Sequence, residues 1–133
     1  MKNNLFKKKI INAPISIGEL VDKITILEIK KNKLQDSKLE NVLKELSYLR
    51  ELIEKNKIDI TEDLFSQLKK INLSLWEIED RIRIKEKNKE FDNTFIELAR
   101  SVYFKNDKRA EIKKNINQLS NSEITEEKFY SEY

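Results

Sequence analysis

The sequence predicts an all-α protein: a four- to five-helix bundle with an antiparallel helical hairpin, one long central helix and a short extended N-terminal arm. Three observations carry this. The 133 residues include one Gly and one Pro, both early, at Gly18 and Pro14, so helix breakers are nearly absent from the rest of the chain. Leu and Ile recur three and four residues apart through most of its length. Short polar links join some of these segments, which folds neighbouring helices back antiparallel.

Residues 1–15 form the predicted arm. In "KIINAPIS" the β-branched isoleucines and Pro14 favour an extended segment, which either pairs with itself in a dimer or packs along the protein. The bundle is expected over residues 16–119. Helix one opens at Ser16, since Ser16-Ile17-Gly18-Glu19 is a capping-box pattern. Ile17, Leu20, Val21, Ile24, Leu27 and Leu34 make its apolar face. Helix two starts with a second such box, Ser37-Lys38-Leu39-Glu40, and carries Leu39, Val42, Leu43, Leu46, Leu49 and Ile53. Helix three starts after Thr61, with Glu62 and Asp63 at its positive end, and runs through Leu64, Leu68, Ile71, Leu75, Ile78 and Ile82 toward Glu90. Asp92 caps helix four, with Phe95, Ile96, Ala99, Val102 and Tyr103 as its inner face. Ile112, Ile116 and Leu119 do not continue that phase, which predicts a break at "KND" and a fifth helix capped by Asn106 or Asp107. Residues 120–133 form a polar tail, with Phe129 and Tyr130 available to dock on the bundle.

Charge narrows the functions. Lys and Arg number 27 against 24 Asp and Glu, a net charge of +3, with the two signs interleaved. A nucleic-acid binder concentrates positive charge on one face; here only Lys7 to Lys9 form a basic run, read as solvated, so no nucleic-acid partner is expected. The absence of Cys and His removes thiol nucleophiles, disulfides, imidazole bases and the usual zinc ligands. Chemistry is left to carboxylates, Lys, Tyr, hydroxyls or a carboxylate-bound hard cation such as Mg²⁺. No apolar stretch approaches the roughly 20 residues of a membrane helix. The basic start is followed by an apolar segment broken at Asn12 and Pro14, a poor leader peptide. The expected location is the cytoplasm, with no membrane partner.

The charges on the predicted inner faces are the candidates for a site. Glu28 and Lys31 fall within the stripe of helix one, Arg50 within that of helix two, and Glu79 and Glu86 within that of helix three. Asn72 and Arg83 flank the third stripe, and Arg109 aligns with Ile112 and Ile116. An unpaired buried ion costs on the order of several kcal/mol, so these groups pair, reach the rim or bind something. One reading is a set of ion pairs that fixes helix register, with Glu28 meeting Arg50 across the hairpin. The other is a pocket for a small anionic ligand, phosphorylated or carboxylated, lined by Glu28, Glu79, Arg83 and Arg109 with Asn106 and Asp107 nearby.

Other constellations point elsewhere. Glu19 with Asp22, and Glu77 with Asp80, each set two carboxylates one turn apart and could chelate Mg²⁺. That spacing resembles the acidic motifs of the MazG-type nucleotide pyrophosphohydrolases. All four fall away from the Leu stripes and read as solvated, so neither metal nor cofactor is expected. Lys31, Arg50 and Arg83 could clamp an anion, which resembles the helical chorismate mutases in architecture alone. Trp76 and Tyr103 with Phe91, Phe95 and Phe104 could stack on a base, but aromatics at helical spacing read as core.

Several longer stretches, "SIGELVDKITILEIK", "LWEIEDRIR", "FDNTFIELARSVYFKNDKRAEIKKNIN" and "EEKFYSEY", together resemble a bacterial family catalogued only as a domain of unknown function. The likeness runs from about Pro14 onward and is weakest over residues 36–66. It implies no activity. It does imply a context, alongside glycosyltransferase or repeat-protein regions linked to surface polysaccharide. Glu19, Asp22, Lys23, Glu28, Trp76, Glu79, Asp80, Arg83, Arg100, Asn106, Asp107 and Arg109 lie within its motifs. The expectation is a small binding or accessory module without catalysis of its own, with a protein partner or a second copy bound to it. The alternative is an enzyme or binding protein for a small anionic ligand.

Overall fold

The computed structural model describes residues 7–133 and contains four helices, α1 (Ile17–Lys33), α2 (Asp36–Lys55), α3 (Glu62–Lys87) and α4 (Asn93–Leu119). Side chains cap three of them. Ser16 Oγ accepts from the Glu19 amide at 3.0 Å, Thr61 Oγ1 from Leu64 at 3.3 Å, and Asp92 Oδ1 from Phe95 at 2.9 Å. The box at Ser16 is half used, because the Glu19 carboxylate turns instead to Lys113. The expected box at Ser37 is not used at all. Helix α2 begins two residues earlier, at Asp36, behind Gln35 in place of Ser37 as the N-cap, and Gln35 makes no side-chain cap bond.

A chain this poor in glycine still needs left-handed residues to end its helices. Lys57, Lys89 and Asn121 supply them, with φ of 51°, 56° and 58°. Each is followed by a return bond of the Schellman type: Ile58 N–H to Ile53 O at 3.0 Å, Glu90 to Lys85 at 2.9 Å, and Ser122 to Asn117 at 2.9 Å.

Helix α1 is the centre of the bundle and touches all three others. Its Leu20, Ile24 and Leu27 pack on Val42 and Leu46 of α2, while Val21, on another side, packs with Leu68, Ile112 and Ile116 of α3 and α4. Burial therefore runs round the helix from Gly18 to Ile29, taking in Asp22 and Thr25 as well as the aliphatics. Helices α1 and α2 form the expected antiparallel hairpin. Helix α1 runs parallel to α3, with Val21 at Leu68, Thr25 at Asn72 and Lys33 at Trp76. It runs antiparallel to α4, with Gly18 at Asn117 and Asp22 at Arg109.

Helix α4 corrects the sequence reading in two ways. It passes unbroken through Lys105, Asn106 and Asp107, so the expected break is absent and one helix stands where two were expected. Its inner line is Leu98, Val102, Lys105, Arg109, Ile112 and Ile116, which alternates steps of four and three residues and keeps one phase throughout. Ile96, Ala99 and Tyr103, expected inside, are exposed.

The expected N-terminal arm precedes α1. Its residues 1–6 lie outside the described residues; residues 7–15 are exposed without regular secondary structure, and no strand occurs among the described residues. No helix among them is long and apolar enough to cross a membrane.

Helix α3 outruns α1. The ammonium of Lys33, the last residue of α1, stands 5.6 Å from the centre of the Trp76 ring. From Glu77 to Lys87, α3 continues for three turns, about 16 Å, with α4 as its one neighbouring helix among the described residues. Nothing between Ile78 and Leu98 is buried. Lys85 fastens the far end, at 2.9 Å from both Glu90 and Asp92. Its bonds to Glu90 and Asp92 hold its pKa above the ordinary value; the Phe95 amide, then Lys85, hold Asp92 below its own.

Candidate functional site

Asp22 is fully buried, contrary to its expected place in solvent. The helical count assigned it to the side away from the Leu stripe, and that side is covered by α3 and α4. Its carboxylate collects donors from both. Arg109 donates from Nε to Oδ1 at 3.0 Å and from a terminal nitrogen to Oδ2, a two-point pair. Asn72 Nδ2 is 2.8 Å from Asp22 Oδ1 and 2.8 Å from Thr25 Oγ1. Thr25 in turn donates to the Asp22 carbonyl at 2.7 Å. Lys113 bonds Glu19 at 2.5 Å and stands 3.7 Å from Asp22. The hydrogen bond to Asp22 holds the Arg109 guanidinium above its ordinary pKa, against the opposing effect of burial.

This network is closed. Among the described residues, every buried side-chain nitrogen and oxygen has a partner. It is the arrangement expected of charges that fix helix register, with a bond from α1 to each of α3 and α4. Arg109 is the one sequence-selected ligand residue in it. Asp22 and Glu19 came from the carboxylate pairs; their companions Glu77 and Asp80 are exposed on α3, so the four do not converge. Thr25, Lys113 and Asn117 were missed, although Lys113 lies four residues after Arg109 and so shares its face.

The remaining candidates occupy three other places. Glu28 meets Arg50 across the α1–α2 hairpin and also Lys69 of α3 at 3.4 Å. Glu79 and Arg83 bond each other at 2.8 Å and are mostly exposed. Arg83, three turns past Asn72, and Glu79 keep to the side of α3 that faces α1, where the sequence put them; α1 has ended by that level. Ala99 is likewise five turns before Asn117, which meets Gly18 of α1. Beyond the end of α1, Trp76 is half-buried and Glu79 and Arg83 of α3, with Ile96 and Ala99 of α4, are exposed.

Asn106 and Asp107 lie mid-helix, in a cleft of about 1110 Å³ between α4 and the returning tail. The tail is held at three points. Ser122 Oγ accepts from the Ile17 amide at 3.1 Å. Glu126 accepts from Asn117 at 3.0 Å and from Ser16, and Tyr133 donates its hydroxyl to Asp107. Phe129 and Tyr130, the expected docking residues, are mostly exposed. Burial pushes the Glu126 carboxyl up, but bonds from Ser16, its own amide and Asn117, with the Lys113 charge, outweigh this and hold it below the ordinary value. The Tyr133 hydroxyl is held above its own by the bond to Asp107. Its ring closes a cluster, 5.3 Å from Tyr103 and 4.7 Å from Phe104 between centroids.

No curated protein and no solved structure matches the chain. Residues 11–132 match a family of unknown function, DUF6165. The match covers nearly the whole chain, including the Asp22 network, the bare hairpin and the tail, and the protein belongs to this family.

Proposed function

We propose that the protein is a small helical accessory module without catalysis of its own, which pairs with a second copy through the exposed face of α3 and α4 beyond α1. The observation behind this is the early end of α1. Helices α3 and α4 run on as a two-helix hairpin that leaves Ile96 52% exposed beside Ala99. Two helices bury one seam only, and a second hairpin laid across them gives a four-helix bundle. Charge favours a copy of the same chain. In a two-fold arrangement with α3 antiparallel to its copy, Glu79 of each meets Arg83 of the other, so the pair exchanges partners without loss.

The alternative, a site for a small anionic ligand, has less support: Glu28, Glu79 and Arg109 each have a separate partner in a separate place. A cytoplasmic location and a context beside glycosyltransferases or surface-polysaccharide assembly belong to the proposal and rest on the sequence reading alone.

Sedimentation equilibrium tests it. The expected mass is twice the 15.9 kDa of one chain, falling to one chain in Ile96→Glu and in Glu79→Arg. The exchange Glu79→Arg with Arg83→Glu restores the pair. A single-chain mass at all concentrations, or an exchange that fails to restore, defeats the proposal; circular dichroism confirms that each variant is folded.

A further inference from the structure

The cleft between α4 and the tail begins one turn beyond Ala99 on α4, at Val102 and Tyr103, and has a chemistry of its own. Three tyrosine rings line it, Tyr103, Tyr130 and Tyr133, and two carboxylates, Asp107 and Glu132. Lys128 is its single cation among the lining residues. Aromatic faces carry negative potential and attract cations, and carboxylates beside them add to the attraction. The chain already uses this: the Lys128 ammonium stands 5.6 Å from the centre of the Tyr130 ring. A short way along α4, the Arg100 guanidinium stands 6.0 Å from that of Phe104.

We propose that this cleft binds an organic cation of the alkylated ammonium class, with Lys128 as the internal cation that the ligand displaces. A primary ammonium such as Lys128 is strongly hydrated and gives up water reluctantly. A quaternary ammonium is weakly hydrated and is the better occupant of a tyrosine-lined site. Asp107 supplies charge and, through its bond to the Tyr133 hydroxyl, fixes the ring that closes the cleft. The Tyr133 ring is braced in turn by Tyr103 and Phe104. Glu132 adds a second negative charge at the tail side.

Titration calorimetry with choline at fixed ionic strength tests the site. Its neutral isostere 3,3-dimethylbutan-1-ol serves as the control for apolar burial, and a peptide carrying trimethyl-lysine tests a chain-borne source of the same group. Saturable binding of choline or of the peptide is expected, with the neutral isostere roughly tenfold or more weaker. Asp107→Asn keeps the size and removes the charge, and should weaken binding by roughly five- to tenfold. Lys128→Gln should tighten it by freeing the Tyr130 face. Both changes are on the surface and away from the core, so melting temperature reports whether the fold is kept. Equal binding of choline and the neutral isostere overturns the proposal. So does the absence of choline and peptide binding in both wild type and Lys128→Gln, or an Asp107→Asn variant that binds as wild type does.

Discussion

Arg109 and Asp22 face each other across the α1–α4 interface as a two-point ion pair, Nε to Oδ1 at 3.0 Å and a terminal nitrogen to Oδ2. The carboxylate side is 1% exposed and the guanidinium side 29%. Arg109→Ala therefore leaves a buried carboxylate with Asn72 as its side-chain donor and Lys113 at 3.7 Å. The expected loss is about 3–5 kcal/mol in urea unfolding. Replacing both partners by apolar residues of similar volume, Asp22→Leu with Arg109→Met, should cost less than Arg109→Ala, since no charge is stranded. A single substitution that costs almost nothing would show that this pair does not hold the bundle.

Gly18 sits at a close contact between α1 and α4. A Cβ there would lie 2.6 Å from the Lys113 carbonyl oxygen and 2.8 Å from Asn117 Oδ1, and the Gly18 amide already bonds that Oδ1 at 2.6 Å. Alanine favours a helix by about 1 kcal/mol over glycine, whereas overpacking costs about 1–3 kcal/mol. The obstacle includes backbone, which yields little, so Gly18→Ala should destabilise by about 1–2 kcal/mol in the same assay. A stabilised variant would mean that the helices can separate at this point without penalty.

The tail should respond to acid. Glu126 is held below its ordinary value of 4.5, so its contribution is fully present above that value and is lost as pH falls through the lower, folded one. Hydrogen exchange at the Gly18 and Glu19 amides, which lie behind the Ser16–Glu126 contact, should be slower in wild type than in Glu126→Gln at neutral pH. The difference should close once the carboxyl is protonated. A gap that stays constant well below pH 4.5 would contradict the assigned anchor.

Local features of the sequence were the most legible. The caps at Ser16, Thr61 and Asp92 act within three residues, so a short pattern contains all that determines them. The Glu28–Arg50 contact followed from the antiparallel hairpin. Helix α4 was misread because Lys105 and Arg109 occupy two successive inner positions and interrupt its hydrophobic line, while Ile96, Ala99 and Tyr103 offer an apolar line that faces outward. Asp22 was misassigned for another reason. The periodicity of α1 reveals its Leu stripe, but a helix packed by three others keeps only a narrow solvent side, at Lys23, and only the arrangement of α3 and α4 shows that Asp22 is not on it. Glu79 and Arg83 were given the right side of α3; the length of α1 at their level was not available from α3's own pattern. Glu126 and Tyr133 carry no periodic signal, because the tail docks by single side chains.

The account rests most on pairing through the hairpin, and a distance between copies tests that directly. The chain has no cysteine, so one label site can be introduced cleanly as Asp80→Cys, near the middle of the bare part of α3. A spin label there should show strong dipolar coupling between copies, whereas a label at Glu45→Cys, on the exposed side of α2, should show much weaker coupling. No coupling at position 80 under conditions where the protein sediments as two chains would contradict this interface, and equal coupling at both positions would contradict it as well.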